Sequence, residues 1–153
     1  MQKAYLLLGG NIGNKSENLL NAELLISSKI GKIMRRSSIY ESEAWGFESK
    51  NTFYNKAIIV ETKLDSYKLL DEIQKIEEEL GRVRGEIQWT DRIIDIDILL
   101  YENNVINTER LTIPHKLLPK RKFALEPLAE IAGKIFHPIL KKTISRLLED
   151  CVE

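Results

Sequence analysis

The stretch RIIDIDILLY, residues 92–101, carries two carboxylates two residues apart inside an apolar run. Its β-branched composition predicts a strand. Because side chains alternate along a strand, Asp95 and Asp97 share one face about 7 Å apart, while Ile94, Ile96 and Ile98 occupy the other. Aspartate is uncommon in strands, and such a conflict with local propensity is expected where residues serve function. Two hard oxygen ligands suit Mg²⁺, as one ion each or as a shared pair. The alternative is the solvated face of an amphipathic strand.

The composition predicts one globular domain. The chain has 153 residues, enough for a single core over residues 1–153, and 43% of them are hydrophobic against 30% charged. Lysine plus arginine and aspartate plus glutamate both count 23, so the formal net charge is zero. No overall basic field therefore indicates a nucleic-acid partner, and any site for an anionic ligand must be local.

Cysteine content and hydropathy bear on the cellular compartment. The one cysteine, Cys151, excludes an internal disulfide and a zinc site built from cysteines. The N-terminus leads directly into a predicted strand, and no apolar run reaches the roughly 18 residues typical of a membrane span. We expect a cytoplasmic monomer without a membrane partner.

A glycine-rich segment follows the first predicted strand. The segment GGNIGNKS, residues 9–16, approaches the phosphate-binding pattern GxxxxGK[ST] but has Asn14 where the second glycine is required. The alternative is a glycine-rich connection that caps the following helix. A P-loop phosphotransferase therefore stays open as one function, in which Lys15 would be essential.

Aromatic and amide side chains occur together around the third predicted strand. A polar loop, residues 43–51, precedes that strand and contains Trp45 and Phe47. These rings would either cover an aromatic ligand or pack on the core. Phe53 and Asn55 share one face of the strand, which suits a flat heterocycle but equally describes a half-buried strand face.

An arginine-rich connection joins the second predicted helix to the two-aspartate strand. Residues 82–92 contain three arginines and a tryptophan and open directly onto Asp95 and Asp97. Taken alone, the segment reads as a solvated basic loop. Its position favours a phosphate clamp beside a metal site. A second basic cluster begins at His115, a residue that can donate a hydrogen bond to phosphate, although a lone histidine before a basic segment is more often a surface residue.

The order of elements predicts an α+β sandwich of the ferredoxin-like type, with a mainly antiparallel sheet, an added hairpin strand and C-terminal helices. A P-loop enzyme would require a parallel sheet. The predicted strands cover residues 4–8, 32–42, 53–62, 94–101 and, pairing back as a hairpin, 105–106. The predicted helices cover residues 16–29, 65–80 and two short segments around Pro127 and His137-Pro138.

Several segments resemble the 6-hydroxymethyl-7,8-dihydropterin pyrophosphokinase family of folate biosynthesis. The resemblance rests on GRVR at 81–84, Trp89, Arg92, DIDI at 95–98, VINTERLTIPH at 105–115 and RKF at 121–123. It covers nearly the whole chain. It implies transfer of pyrophosphate from ATP to the hydroxymethyl group of a dihydropterin, release of AMP, and Mg²⁺ as the cofactor, with two ions.

The resemblance also implies roles for individual residues. Asp95 and Asp97 would hold the two Mg²⁺ ions, and Arg82 and Arg92 would stabilise the transferring group. The residues implied for ATP binding are Gln74, Glu77, Arg84, Trp89, Ile98 through its backbone, Arg110, Thr112, His115 and Arg121. The residues implied for pterin binding are Ser42, Phe53, Asn55 and Phe123, with the two rings stacking on opposite faces of the heterocycle.

The chain departs from the family pattern at several positions. Phe53 stands where the family commonly has Tyr, Ser42 where it has Thr, and Lys116 where it often has an aromatic residue. Residues 43–45 replace a proline-rich stretch, and residues 90–91 replace Gly-Pro. None of these changes removes a metal or phosphate group. A non-catalytic module that binds pterin or nucleotide is the second alternative function. It would release neither AMP nor ADP, whereas a P-loop enzyme would release ADP.

Overall fold

A sheet with helices on both faces forms the fold. The computed structural model describes residues 1–81 and 92–153, and the predicted site residues Arg82, Arg84 and Trp89 lie outside the described residues. The strands are β1 (Gln2–Gly10), β2 (Gly31–Arg36), β3 (Tyr40–Ser42), β4 (Phe53–Thr62), β5 (Asp95–Tyr101), β6 (Ile106–Asn107) and β7 (Thr112–Ile113). The helices are α1 (Lys15–Lys29), α2 (Ser66–Glu79), α3 (Lys122–Ala132) and α4 (Ile144–Asp150).

The main sheet has β1 and β4 at its centre. The strand order is β2-β4-β1-β5, β3 also pairs with β4, and every pairing among the described strands is antiparallel. β1 is buried from Ala4 to Gly10 because both faces of the sheet are covered. The predicted α+β class with a mainly antiparallel sheet is therefore confirmed.

The single strand predicted over residues 32–42 is two strands. β2 pairs with the C-terminal half of β4 and β3 with its N-terminal half. Between them, the Ser37 N–H donates to the Ala57 carbonyl oxygen at 2.9 Å. The Ser37 hydroxyl in turn accepts from the Ala57 N–H at 2.9 Å. A side-chain oxygen thus replaces a backbone partner, and the chain bends without leaving the edge of β4.

Two apolar cores lie on opposite faces of the sheet. One packs α1 and α2 against residues such as Leu6, and the other packs α3 and α4 against residues such as Leu7. Both helix pairs carry the apolar spacing that the sequence predicts. The sequence predicts Asp65 or Ser66 as the cap of α2, and the structure has Asp65, whose carboxylate accepts from the Lys68 N–H at 2.9 Å. Among the described residues, no helix combines the length and apolar character required to cross a membrane.

A β-bulge in β5 determines which face carries the aspartates. Leu99 has no partner in β1, because the pairing register shifts by one residue there. In an unbroken strand, Asp95 and Asp97 would face the same core as Tyr101. The bulge turns them to the opposite face, on the side of α3, while Ile96 packs beneath α1 and α2.

The hairpin strand has a different partner from the one predicted. The sequence suggested that residues 105–106 pair back as a hairpin, but β6 pairs with β7 in a separate two-stranded sheet, with Ile106 opposite Ile113. A tight turn explains the difference, because the Thr108 N–H donates to the Leu111 carbonyl oxygen at 2.9 Å and the Leu111 N–H donates to the Thr108 hydroxyl at 3.1 Å. β6 therefore meets a local partner before it can reach β5.

The last helix begins later than predicted. α3 contains Pro127, as expected, but His137-Pro138 lies in the connection to α4 rather than in a helix. The His137 Nδ1 accepts from the N–H groups of Ile139 and Leu140 at 3.2 and 3.1 Å. These bonds hold the segment as a turn.

Candidate active site

A cavity of about 390 Å³ opens on the sheet face that carries Asp95 and Asp97. It lies where β1 ends and where β4 and β5 begin, and it extends past the edge strand β5 to α2. The predicted site residues in its lining are Ser42, Phe53, Asn55, Gln74, Glu77, Arg92, Asp95, Asp97, His115, Arg121 and Phe123.

Gly9 forms the floor between the aspartates and the aromatic residues. In the sheet it pairs with Asn55 on β4 and with Asp95 on β5, so these three positions face the same side. Strands about 4.8 Å apart place Asn55 and Asp95 about 10 Å from each other. A Cβ on Gly9 would lie 3.3 Å from Asn55 Oδ1. The absence of a side chain at Gly9 therefore keeps the floor open.

Asn55 presents its carbonyl oxygen to the cavity. The side chain is 2% exposed, and its Nδ2 donates to the Ser42 hydroxyl at 2.8 Å and to the Tyr40 carbonyl oxygen at 3.3 Å. Both amide hydrogens are thus used within the protein. No hydrogen bond to Oδ1 comes from the described residues, which makes this atom an acceptor for an N–H group of a ligand.

Half-buried aromatic rings form two pairs at this end of the cavity. Phe47 meets Phe53 edge to face with ring centroids 6.1 Å apart, and Trp45 is tilted against Phe123 at 6.4 Å. The loop that carries Trp45 and Phe47 therefore borders the cavity instead of packing only on the core. The site offers flat apolar surfaces next to the Asn55 acceptor.

Arg121 joins the aromatic end to the aspartates. Its guanidinium lies 4.6 Å from the Trp45 ring centroid and 5.4 Å from that of Phe123. Burial lowers the pKa of Arg121, and Asp97 and then Asp95 oppose that effect. The side chain is 9% exposed, and its buried Nε has no hydrogen-bond partner among the described residues. A ligand with an acceptor atom at this point could satisfy this buried donor.

Asp95 and Asp97 are the carboxylates of this cavity that could hold a metal. Arg92, 6% exposed, places Nη1 3.7 Å from an Asp95 carboxylate oxygen. The described residues contain no group of three or more histidine, cysteine, aspartate or glutamate side chains that could hold a metal. Two carboxylates fit Mg²⁺, which is usually bound through one or two carboxylates while substrate phosphates and waters complete its shell.

His115 is a neutral imidazole in this site. Its Nδ1 accepts from the Leu117 N–H at 3.1 Å, so the ring proton lies on Nε2. Burial, followed by the charge of Arg121, lowers the pKa of His115 to about 4, although Asp95 acts in the opposite direction. The His115 backbone N–H donates to the carbonyl oxygen of the bulged residue Leu99 at 3.0 Å. The bulge therefore places a neutral hydrogen-bond donor beside the aspartates.

Glu77 seals the β5 edge beside the cavity. It is 6% exposed, and its Oε2 accepts from the Ile96 N–H at 2.8 Å, on the edge of β5 where none of the described strands pairs. Sequence reasoning treated the position as a solvated one unless the family resemblance applied. Gln74 lies one turn earlier on α2, is exposed and also lines the cavity.

Three predicted nucleotide residues do not line this cavity. Ile98 lies in the core beneath α1 and α2. Arg110 forms an ion pair with Asp71 on the surface, and Thr112 is exposed on β7. Their contacts with a nucleotide remain predictions, as do those of the residues in the segment 82–91.

The P-loop alternative is wrong. The Lys15 ammonium donates to the Thr52 carbonyl oxygen at 3.0 Å, lies 4.3 Å from the Tyr54 ring centroid and does not line the cavity. The strand before the glycine-rich segment pairs antiparallel with both neighbours. The glycine at position 10 serves backbone packing and not phosphate binding. It lets the end of β1 lie close to the backbone of Ile93, since a Cβ there would be 2.2 Å from the Ile93 carbonyl oxygen.

Comparison with known sequences identifies relatives along almost the entire chain. The sequence model described as 7,8-dihydro-6-hydroxymethylpterin-pyrophosphokinase (HPPK) matches residues 5–133. The chain is 41% identical over 144 residues to 2-amino-4-hydroxy-6-hydroxymethyldihydropteridine pyrophosphokinase of Aquifex aeolicus, which covers 94% of this chain and 89% of that protein. It is 39% identical over 152 residues to the folic acid synthesis protein fol1 of Pneumocystis carinii, covering 99% of this chain but 20% of that protein.

Comparison with solved structures supports the same fold. The crystal structure of Plasmodium falciparum HPPK-DHPS matches 97% of this chain with a TM-score of 0.79 at 20% sequence identity, and the match spans 44% of that longer chain. This likeness confirms the ferredoxin-like architecture. Because the family match extends over most of the sequence and the Aquifex relative is 41% identical, the chain belongs to the 7,8-dihydro-6-hydroxymethylpterin-pyrophosphokinase family of folate biosynthesis.

Proposed function

We propose that this protein transfers the terminal pyrophosphate of ATP to the hydroxymethyl group of 6-hydroxymethyl-7,8-dihydropterin and releases AMP. The observation that carries the proposal is the cavity in which Asp95 lies about 10 Å from Asn55, the acceptor at the floor of an aromatic slot. Arg121 lies between these two ends, beside the Trp45 and Phe123 rings. Binding one ligand at each end would place a hydroxyl of one beside the phosphates of the other.

The aromatic end is the proposed pterin site. Phe53 and Phe123 provide faces for stacking, and Asn55 Oδ1 would accept from an N–H group on the polar edge of the heterocycle. Ser42 contributes by holding the Asn55 amide in that orientation. Since both amide hydrogens are engaged, the site favours a ligand edge that donates a hydrogen bond at this point.

The aspartate end is the proposed site of the triphosphate. Asp95 and Asp97 would hold Mg²⁺, with two ions as the expected number, and Arg92, His115 and Arg121 supply hydrogen-bond donors for phosphate oxygens. Bound there, Mg²⁺ would neutralise charge on the phosphates and orient them. Nucleotide contacts are also proposed for Arg82, which would stabilise the transferring group with Arg92, and for the remaining candidates Gln74, Glu77, Arg84, Trp89, Ile98, Arg110 and Thr112.

The reaction consists mainly of positioning and charge neutralisation. The hydroxymethyl oxygen forms a bond to the β-phosphorus, the bond from that phosphorus to the α,β-bridging oxygen breaks, AMP carries that oxygen away, and the hydroxyl proton passes to solvent. Arg92 and Arg121 can follow the charge that develops on the phosphates without a proton transfer. His115 binds as a neutral donor, so it does not serve as a base while its Nδ1 is held by the Leu117 N–H.

Product analysis tests the proposed activity. Purified protein with ATP, Mg²⁺ and the hydroxymethyl dihydropterin is expected to form AMP and pterin pyrophosphate in equal amounts. Binding of either ligand without AMP formation would identify a binding module instead. A monomeric state and a cytoplasmic location are part of the same proposal, and light scattering checks the first of them.

A further inference from the structure

Asn11, to which no motif in the sequence assigns a role, connects the two ends of the cavity. It follows β1, is 2% exposed, and its carboxamide contacts the backbone of two distant segments. Oδ1 accepts from the Arg92 N–H at 2.7 Å, and Nδ2 donates to the Asn51 carbonyl oxygen at 3.3 Å. One side chain therefore joins the start of the aspartate strand to the loop that precedes Phe53.

The contact with Arg92 is reciprocal. The Asn11 N–H donates to the Arg92 carbonyl oxygen at 2.8 Å, so both backbone polar groups of Arg92 are bound by one residue. Gly10 allows the two segments to approach closely, because its missing side chain lets the Ile93 carbonyl oxygen lie 2.2 Å from where a Cβ would be. The backbone from which the Arg92 guanidinium reaches Asp95 is thus fixed from β1.

The contact with Asn51 reaches the aromatic end. Asn51 closes the loop that carries Trp45 and Phe47, and Phe53 follows two residues later. The Asn11 amide supplies an acceptor for the Arg92 N–H through Oδ1 and a donor for the Asn51 carbonyl oxygen through Nδ2, on two separate atoms of one buried side chain. Alanine would remove both bonds, and aspartate would keep only the acceptor.

We propose that Asn11 is a positioning residue that couples the heterocycle end of the cavity to the placement of Arg92. This inference rests on the proposed function for the reaction itself. Ordering of the loop ahead of Phe53 by a bound heterocycle would be transmitted through Asn11 to the backbone of Arg92. Each ligand would therefore bind more tightly in the presence of the other, and the reacting groups would be aligned only with Asn11 in place.

The test compares Asn11→Ala with Asn18→Ala. Asn18 is the matched control, since its Nδ2 donates to the Ile12 carbonyl oxygen at 3.1 Å in the same connection but contacts neither Arg92 nor Asn51. Asn11→Ala is expected to lower kcat by about 10- to 100-fold, the loss typical of a misplaced group. It is also expected to raise the KM of each ligand, measured with the other ligand saturating, by the factor of affinity that the coupling supplies. Asn18→Ala should leave kcat close to that of the wild type.

A binding measurement tests, in the absence of turnover, whether Asn11 couples the binding of the two ligands. Calorimetry measures the affinity of the dihydropterin with and without an ATP analogue whose α,β-bridging oxygen is replaced by methylene. The gain in affinity caused by the analogue should be present in the wild type and in Asn18→Ala and be lost in Asn11→Ala. Should the alanine variant fail to fold, Asn11→Asp takes its place, because it removes the Nδ2 donor and keeps the acceptor for Arg92.

The outcomes separate the two proposals. A folded Asn11 variant that keeps the affinity gain, or a kcat equal to that of Asn18→Ala, would overturn the role of Asn11. The same applies to a wild type in which neither ligand affects the affinity of the other. Absence of AMP formation by the wild type overturns the proposed function, and the calorimetric comparison then decides on Asn11 alone.

Discussion

Replacement of Asp97 by asparagine separates a metal site from a structural carboxylate. The substitution keeps the size of the side chain and removes one negative charge from the face that Asp95 shares. Two carboxylates about 7 Å apart repel each other by about 0.6 kcal/mol in water and by about 2 kcal/mol at an effective dielectric constant of 20. Loss of the attraction to Arg121 offsets this gain, so we expect the free energy of unfolding to change by less than about 1 kcal/mol.

The effect on turnover should be much larger. A metal that neutralises phosphate charge contributes several kcal/mol to the transition state, and a loss of about 4 kcal/mol corresponds to about a thousandfold decrease in rate. Initial rates of AMP formation across a Mg²⁺ titration, together with thermal unfolding, measure both quantities. For a chain of this size, 1 kcal/mol corresponds to a change in Tm of about 2–4 °C.

A surface carboxylate serves as the control for Asp97→Asn. Asp150 pairs with Lys142 at 3.2 Å far along the chain from the cavity, and Asp150→Asn should retain wild-type turnover. Asp97→Asn with a rate within threefold of the wild type would refute the metal site. Unfolding of Asp97→Asn, combined with a wild-type Tm that does not respond to Mg²⁺, would show that the pair is structural.

Three further predictions follow from contacts around the cavity. Because the pKa of His115 is lowered from 6.5 to about 4, the folded state binds fewer protons than the unfolded state in this interval, and the free energy of unfolding should fall as pH decreases from 6.5 to 4. His115→Gln should reduce the pH dependence of the free energy of unfolding by the equivalent of up to one bound proton. An unchanged pH dependence in denaturant titrations would contradict the lowered pKa of His115. Glu77→Ala leaves the Ile96 N–H without its acceptor and should lower the free energy of unfolding by about 1–3 kcal/mol, whereas Glu77→Gln should lower it less. Gly10→Ala should destabilise the protein strongly because its Cβ would lie 2.2 Å from a backbone oxygen. Gly9→Ala, at 3.3 Å from Asn55 Oδ1, should keep the fold and weaken dihydropterin binding, and equal loss of Tm in both variants would contradict this reasoning.

Local patterns were sufficient for most of the fold. Apolar spacing in α1 and α2, the Asp65 cap and the alternation around Asp95 depend on residues near one another in sequence, which is why they could be predicted. The partner of β6 and the division between β2 and β3 depend on hydrogen bonds of Thr108 and Ser37 that compete with strand pairing. Such competition is not visible in composition or period.

The residues of the candidate site that belong to sequence motifs could be predicted, and the others could not. Strand alternation pointed to Asp97 and family resemblance to residues such as Phe123, and the structure places both around one cavity. Gly9 and Asn11 were missed because their positions opposite Asn55 and Arg92 result from the register of distant segments. The glycine-rich segment was instead compared with a phosphate loop, because its local residues resemble one and only the order of elements along the whole chain argues for an antiparallel strand before it.

The bulge at Leu99 has a consequence for insertions and deletions in this strand. Removal of Leu99 would restore a regular ladder between β1 and β5 and would leave the side chains on both sides of it facing as they do now. It would also remove the carbonyl oxygen that holds the His115 N–H. Deletion of Leu99 would therefore keep the face on which the aspartates lie and would remove the hydrogen bond that attaches His115 to β5. Without Leu99, β5 would have six residues and would present the same carboxylates. Leu99 is therefore the residue of the strand that attaches it to the segment leading into α3.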